Sequence, residues 1–116
     1  MSNGVVTMEN FKAEKVAGLT DRMKVMLQAL RYIVDEPIYI TSGLRSSDTD
    51  SEHSLGMGVD ISDNNRGEDI SSRWRYKVMK AAYGLGFRRL GDYDRHVHLG
   101  VSTSHPQDVE WRGVSS

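Results

Sequence analysis

Two short stretches alternate polar and apolar residues so regularly that they call for a sheet with one covered face. Val59-Asp60-Ile61-Ser62 is the first and His96-Val97-His98-Leu99 the second. Successive side chains of an extended strand point to opposite faces of the sheet. Asp60 therefore stands on one face while Val59 and Ile61 stand on the other. His96 and His98 share a face, and Val97 and Leu99 read as the core side. Such strands need helices over the apolar face, which leaves the polar face to water or to chemistry.

The remaining chain supplies those helices. Thr20 is a suitable N-cap, and Met23, Met26, Leu27, Leu30, Ile33 and Val34 then recur at three- and four-residue steps. Asp35-Glu36-Pro37 ends the run, because Pro37 cannot continue a helix and disfavours helical geometry at Glu36. The methionines read as core filler on an amphipathic helix. Ile38 to Ser42 is β-branched and aromatic, hence a strand. A second helix is predicted from near Glu68, with Ile70, Trp74, Val78, Ala81, Ala82 and Leu85 on its apolar face and Gly86 as a left-handed cap. Phe87 to Leu90 reads as a short strand before a turn at Gly91. Residues 1–18 read as a loose lead-in, and residues 102–116 as a loop-like tail in which Trp111 offers packing. The order helix, strand, strand, helix, strand, strand predicts one α+β domain, with helices packed on a mostly antiparallel sheet. Its core is expected over about residues 20–101, between flexible terminal segments.

Composition narrows the function classes. A chain of 116 residues suits a single domain with a real core. Lys+Arg 15 against Asp+Glu 16 leaves a net charge of -1, which argues against a nucleic-acid partner. No apolar run approaches the ~18 residues of a membrane span. Met1-Ser2-Asn3-Gly4 lacks the basic-then-apolar design of a signal peptide, so synthesis in the cytoplasm is expected, as a monomer. There is no cysteine, so any metal must be held by imidazole and carboxylate.

Ser51 to Asp60, S-E-H-S-L-G-M-G-V-D, carries a histidine and a carboxylate seven positions apart with two glycines between them. Glycines suit close backbone approach or positive φ near such a site. Taken alone, the pair also fits a solvated loop histidine followed by a capping aspartate. His96 and His98 add two imidazoles on one strand face, and Asp92 and Asp94 continue that face if the chain stays extended. The alternative there is the polar outer face of an edge strand. Together the pieces offer His, Asp and His, three ligands with the open fourth position of a catalytic zinc. His105, beside Pro106, reads as a surface residue.

These residues also carry a resemblance. Ser51 to Asp60 matches the S-x-H-x-x-G-x-(A/G)-x-D signature of the M15 zinc peptidases. That family comprises D-Ala-D-Ala carboxypeptidases and dipeptidases and the L-alanyl-D-glutamate endopeptidases of phage endolysins. Thr41-Ser42-Gly43-Leu44-Arg45-Ser46 resembles its S-G-x-R-S strand and turn. Gly86 to Asp94 followed by His96-Val97-His98 is similar to the ending of its small phage-type members. Zinc-bearing hedgehog domains share the fold and an H-x-H ending. The resemblance spans roughly residues 38–101.

It implies a hedgehog/D-Ala-D-Ala peptidase-like fold, one zinc ion, and His53, Asp60 and His98 as its ligands. Arg45 matches the arginine that polarises the substrate carbonyl or holds the developing oxyanion, and Ser51 a residue that hydrogen-bonds the substrate. Many members place an acid three residues before the last ligand; Arg95 stands there instead. A hedgehog-like spacing puts the general base at Asp92, with Asp94 as its rival and His96 as an assisting proton donor. The implied activity is hydrolysis of peptidoglycan stem peptides by a phage or prophage endolysin-type enzyme, made in the cytoplasm and acting on the wall after release. A D-Ala-D-Ala carboxypeptidase or dipeptidase is one alternative. A catalytically inactive, zinc-stabilised binding or virion-structural module is another.

Overall fold

Two serine/threonine caps set where the long helices begin. In the computed structural model, which describes residues 10–45 and 51–114, the Thr20 hydroxyl accepts the Met23 N–H at 3.3 Å and opens α2, Asp21–Val34. This satisfies one of the backbone donors that a helix start leaves unpaired. The helix ends at Asp35, in the left-handed region at φ 53°, just before Pro37. Met23, Leu27, Leu30 and Val34 form its buried stripe. Ile33, expected on that stripe, is 54% exposed, because its neighbour Val34 takes the core position.

The second long helix, α3, runs Ser72–Leu85 and starts four positions later than expected from Glu68. The Asn64 side chain accounts for the delay. Its Oδ1 accepts the N–H groups of Arg66 and Glu68 at 3.0 and 3.1 Å, and its Nδ2 donates to the Glu68 carbonyl at 3.1 Å. These bonds hold the segment as a loop until Ser71 caps the Trp74 N–H at 3.1 Å. Gly86 closes the helix at φ 90°, the left-handed cap read from the sequence.

The strands are β1 Tyr39–Ser42, β2 Gly58–Ser62, β3 Arg89–Asp92, β4 Val97–Gly100 and β5 Val109–Arg112. They form one mixed sheet in the order β1-β2-β4-β3-β5. The first three pairings are antiparallel, and β5 runs parallel to β3. Val59, Ile61, Leu90, Val97 and Leu99 point into one core with the buried stripes of α2 and α3. The protein is thus a two-layer α+β domain with both long helices on one face of the sheet.

Three expectations are corrected. Gly91 lies inside β3, and the chain reverses over residues 93–96, so Asp92 and Asp94 do not share a strand with His96 and His98. The lead-in contains a short helix, α1, Ala13–Val16, and Val16 and Leu19 join the core. The tail is not simply a loop, since residues 109–112 add the edge strand β5. Among the described residues, no helix is long and apolar enough to cross a membrane.

Candidate metal centre

Register brings the site together on the face the helices leave open. Asp60 of β2 lies opposite His98 of β4, and His98 lies opposite Gly91 of β3. His53 comes from the turn preceding β2. That turn is held by Leu55 and Met57 N–H groups on the Glu52 carbonyl, at 3.2 and 2.9 Å, and by Arg45 N–H on the His53 carbonyl at 3.2 Å. The two glycines read as close-approach positions behave so. Gly56 has φ 70°, and a Cβ on Gly58 would lie 2.6 Å from Glu52 Cβ and 3.0 Å from His98 Cε1.

The three expected ligands converge and are all buried. His53 Nε2 lies 3.3 Å from Asp60 Oδ1, and His98 Nδ1 lies 3.0 Å from the same oxygen. Ligand bonds of ~2.0–2.2 Å arranged tetrahedrally around zinc put donor atoms about 3.3–3.5 Å apart, so the spacing fits a small divalent ion. The outward nitrogens are also engaged. His53 Nδ1 donates to the Gly43 carbonyl at 2.9 Å, which leaves Nε2 as the lone-pair nitrogen. His98 Nε2 lies 2.8 Å from Glu52 Oε1. Metal-bound imidazoles are held in this way, by an oxygen on the nitrogen that does not ligate. The His53, Asp60 and His98 group could therefore hold a metal ion.

Electrostatics follow the same contacts. Burial pushes the Asp60 carboxyl up, but hydrogen bonds with His53 and His98 outweigh it and hold the group below the ordinary carboxylate range. Burial lowers His98, yet Asp60 and Glu52 raise it above the usual histidine value. Glu52 is likewise pushed up by burial and brought down further by His98 and Arg89. His96 is lowered, mainly by burial, against the pull of Asp60.

A cleft of about 400 Å³ opens over this group, and Arg45, Ser51, His96 and His105 line it. Arg45 and Ser51 thus share a cleft with the His53, Asp60 and His98 group, although residues 46–50 of the same polar loop lie outside the described residues. His96 stands at the rim, with Nε2 3.8 Å from Asp60 Oδ2 and its ring stacked on Tyr93 at 4.2 Å. His105, read as a surface residue, instead faces the cleft, half-buried, with its Nδ1 2.7 Å from Ser102 Oγ.

Asp92 is not brought to the cluster. In β3 it alternates with Gly91, so it points to the helix face, where the Arg75 guanidinium of α3 binds it. Asp94 lies in the β3–β4 turn and lines a separate depression with Asp92 and Arg75; its carbonyl accepts the Ile70 N–H at 3.0 Å. Arg95, three residues before His98, is half-exposed and 3.6 Å from Asp69.

Glu52 and Trp111 are among the cleft residues that escaped the sequence reading. Glu52 is 4% exposed and sits between His98, Arg89 and the Ser102 N–H. It looked like the variable residue of the Ser51–Asp60 stretch, and only the register of β4 reveals its partner. Trp111 of β5 packs its ring on Gly91, 5.5 Å from the His98 ring, and donates through Nε1 to the Tyr93 hydroxyl at 2.9 Å. The alternation Val109-Glu110-Trp111-Arg112 was the signal available for it. No protein-family model, no curated protein and no solved structure matches this chain. What the site does must be read from its own residues.

Proposed function

We propose that the chain is a zinc-dependent peptidase that hydrolyses stem peptides of bacterial peptidoglycan. In this reading it has a hedgehog/D-Ala-D-Ala peptidase-like fold and the L-alanyl-D-glutamate endopeptidase activity of a phage or prophage endolysin. The observation that carries the reading is the convergence of His53 Nε2, Asp60 Oδ1 and His98 Nδ1, with both outward imidazole nitrogens already engaged. Zinc bound there would supply Lewis acidity and a water of lowered pKa. Arg45 holds the substrate carbonyl and steadies negative charge as it develops on that oxygen. Ser51 hydrogen-bonds the peptide alongside it. The proton-transfer role moves from Asp92 to His96, whose Nε2 is the titratable atom facing the cleft beside Asp60. Aromatic packing of Tyr93 beneath His96 keeps that ring in place.

The test is release of new amino groups from purified peptidoglycan by metal-replete protein, abolished by a chelator and restored by zinc. Mass spectrometry of the fragments identifies the bond. Cleavage between L-Ala and D-Glu supports the endopeptidase, and release of terminal D-Ala supports a carboxypeptidase on the same scaffold. A second reading has its own observation. Among the described residues, the cleft's carboxylates are Asp60, a ligand, and Glu52, already bound to His98 and Arg89. A cleft whose described carboxylates are both engaged also suits a zinc-stabilised binding or virion-structural module. Intact stem peptides, together with a zinc-dependent rise in melting temperature, would favour that module and overturn the peptidase.

A further inference from the structure

We propose that Glu52 is a positioning residue for the metal centre, which selects the nitrogen through which His98 binds. This deepens the preceding reading and rests on its metal site, not on its substrate. Glu52 sits next to the ligand His53 in sequence yet reaches across to the other imidazole ligand. Its Oε1 lies 2.8 Å from His98 Nε2. Its Oε2 accepts the Ser102 N–H at 3.2 Å and lies 2.9 Å from Arg89 Nε. With both oxygens occupied and the residue 4% exposed, the carboxylate has little room to turn. An acceptor fixed against Nε2 keeps the proton on that nitrogen and frees Nδ1. Nδ1 is the atom that faces Asp60 Oδ1, at 3.0 Å.

The surroundings are shaped for this carboxylate. A Cβ on Gly100 would collide with the Glu52 carboxyl group itself, and one on Gly58 would meet Glu52 Cβ at 2.6 Å. Arg89, stacked 5.2 Å over the Trp111 ring, offsets the buried negative charge. A buried carboxylate without such a partner would be costly. The arrangement makes the two imidazoles unequal: His53 presents Nε2 because Gly43 holds its Nδ1, and His98 presents Nδ1 because Glu52 holds its Nε2.

The test is zinc affinity and His98 tautomer, neither of which needs a substrate. Competition with a chromophoric chelator should show E52A losing about 10- to 100-fold in zinc affinity, the usual cost of removing a group that orients a ligand. E52Q, which retains an oxygen able to face Nε2–H, should lose less. Long-range proton–nitrogen NMR of the zinc-loaded parent protein should place the proton of His98 on Nε2 and the metal on Nδ1. This measurement decides the matter even where E52A does not fold. A proton found on Nδ1, or unchanged zinc affinity in folded E52A, overturns the assignment while leaving the metal site standing. A parent protein that does not bind zinc overturns the metal site and the assignment together.

Discussion

The two faces of the sheet use the same three strands for opposite purposes. On the helix face, Val59, Ile61, Leu90, Val97 and Leu99 are at most 1% exposed and contribute volume to one apolar cluster. On the open face, the neighbouring positions are Gly58, Asp60, Gly91, His98 and Gly100. Glycines stand there because side chains arriving from other segments need the space: Glu52 against Gly58 and Gly100, and Trp111 against Gly91. The helix face is thus defined by filling, and it should tolerate exchange among apolar residues of similar size. The open face is defined by atom positions, and small shifts there should change chemistry more than stability.

Adjacent residues of β4 separate these roles most sharply. Replacing His98 with alanine, or Asp60 with asparagine, should abolish stoichiometric zinc binding. On the proposed peptidase reading, activity on peptidoglycan should then fall by at least about a thousandfold, since a catalytic metal supplies several kcal/mol of transition-state stabilisation. Leu99→Ala, one residue along, should lower unfolding free energy in urea by about 2–5 kcal/mol through lost burial and a residual cavity. The fraction that remains folded should still bind zinc with parental affinity. A Leu99→Ala protein that folds but binds zinc weakly would show that the faces are not independent.

How far the sequence revealed this division depends on the length over which each pattern runs. Val59 to Ser62 and Val97 to Leu99 alternate within single strands, so their two faces were legible residue by residue, and the helix stripe at Met23, Leu27, Leu30 and Val34 was legible for the same reason. That His53, Asp60 and His98 come together was legible because three motifs had to agree. What failed was continuation of a pattern through an unseen turn. Asp92 and Asp94 were projected onto the His96 and His98 face by extending one strand, whereas the chain reverses between them. Glu52 and Trp111 act through contacts 46 and 18 residues away in sequence, with His98 and Tyr93, and no local pattern encodes such a pairing. The late start of α3 has a similar origin, because Asn64 Nδ2 donates to the Glu68 carbonyl, which a helix from Glu68 would otherwise have paired with a backbone N–H one turn on.

Asp92 gives the next test of the separation. It points to the helix face and is bound by Arg75, with the two side chains 18% and 26% exposed. On the proposed peptidase reading, Asp92→Asn should therefore leave kcat on peptidoglycan within a few-fold of the parent. It should destabilise the fold by about 1 kcal/mol, the value of a charged hydrogen bond reduced for partial exposure. A loss of activity comparable to that of His98→Ala, with stability intact, would return the general base to Asp92 and break the assignment of chemistry to the open face.

Glu36 offers the smallest effect and the cleanest separation, since it belongs to the helix layer alone. At the end of the segment following α2, it accepts Arg73 at 2.7 and 2.9 Å and Lys77 at 2.5 Å, both from α3. The Arg73 hydrogen bonds, followed by Lys77, lower its carboxyl from 4.5 to about 2. A carboxyl whose value is depressed on folding stabilises the native state fully above its unfolded value, and that contribution is lost as pH falls through the folded one. The window is therefore about pH 4.5 down to about 2. Melting temperatures should fall less steeply across that window in Glu36→Gln than in the parent protein. The difference should shrink at high salt, because these side chains are solvent-accessible and screened. At neutral pH the same variant should bind zinc with unchanged affinity. Parallel acid profiles would show that the link between α2 and α3 contributes nothing measurable, whereas altered zinc affinity would mean that strain in the helix layer reaches the open face through the strands they share.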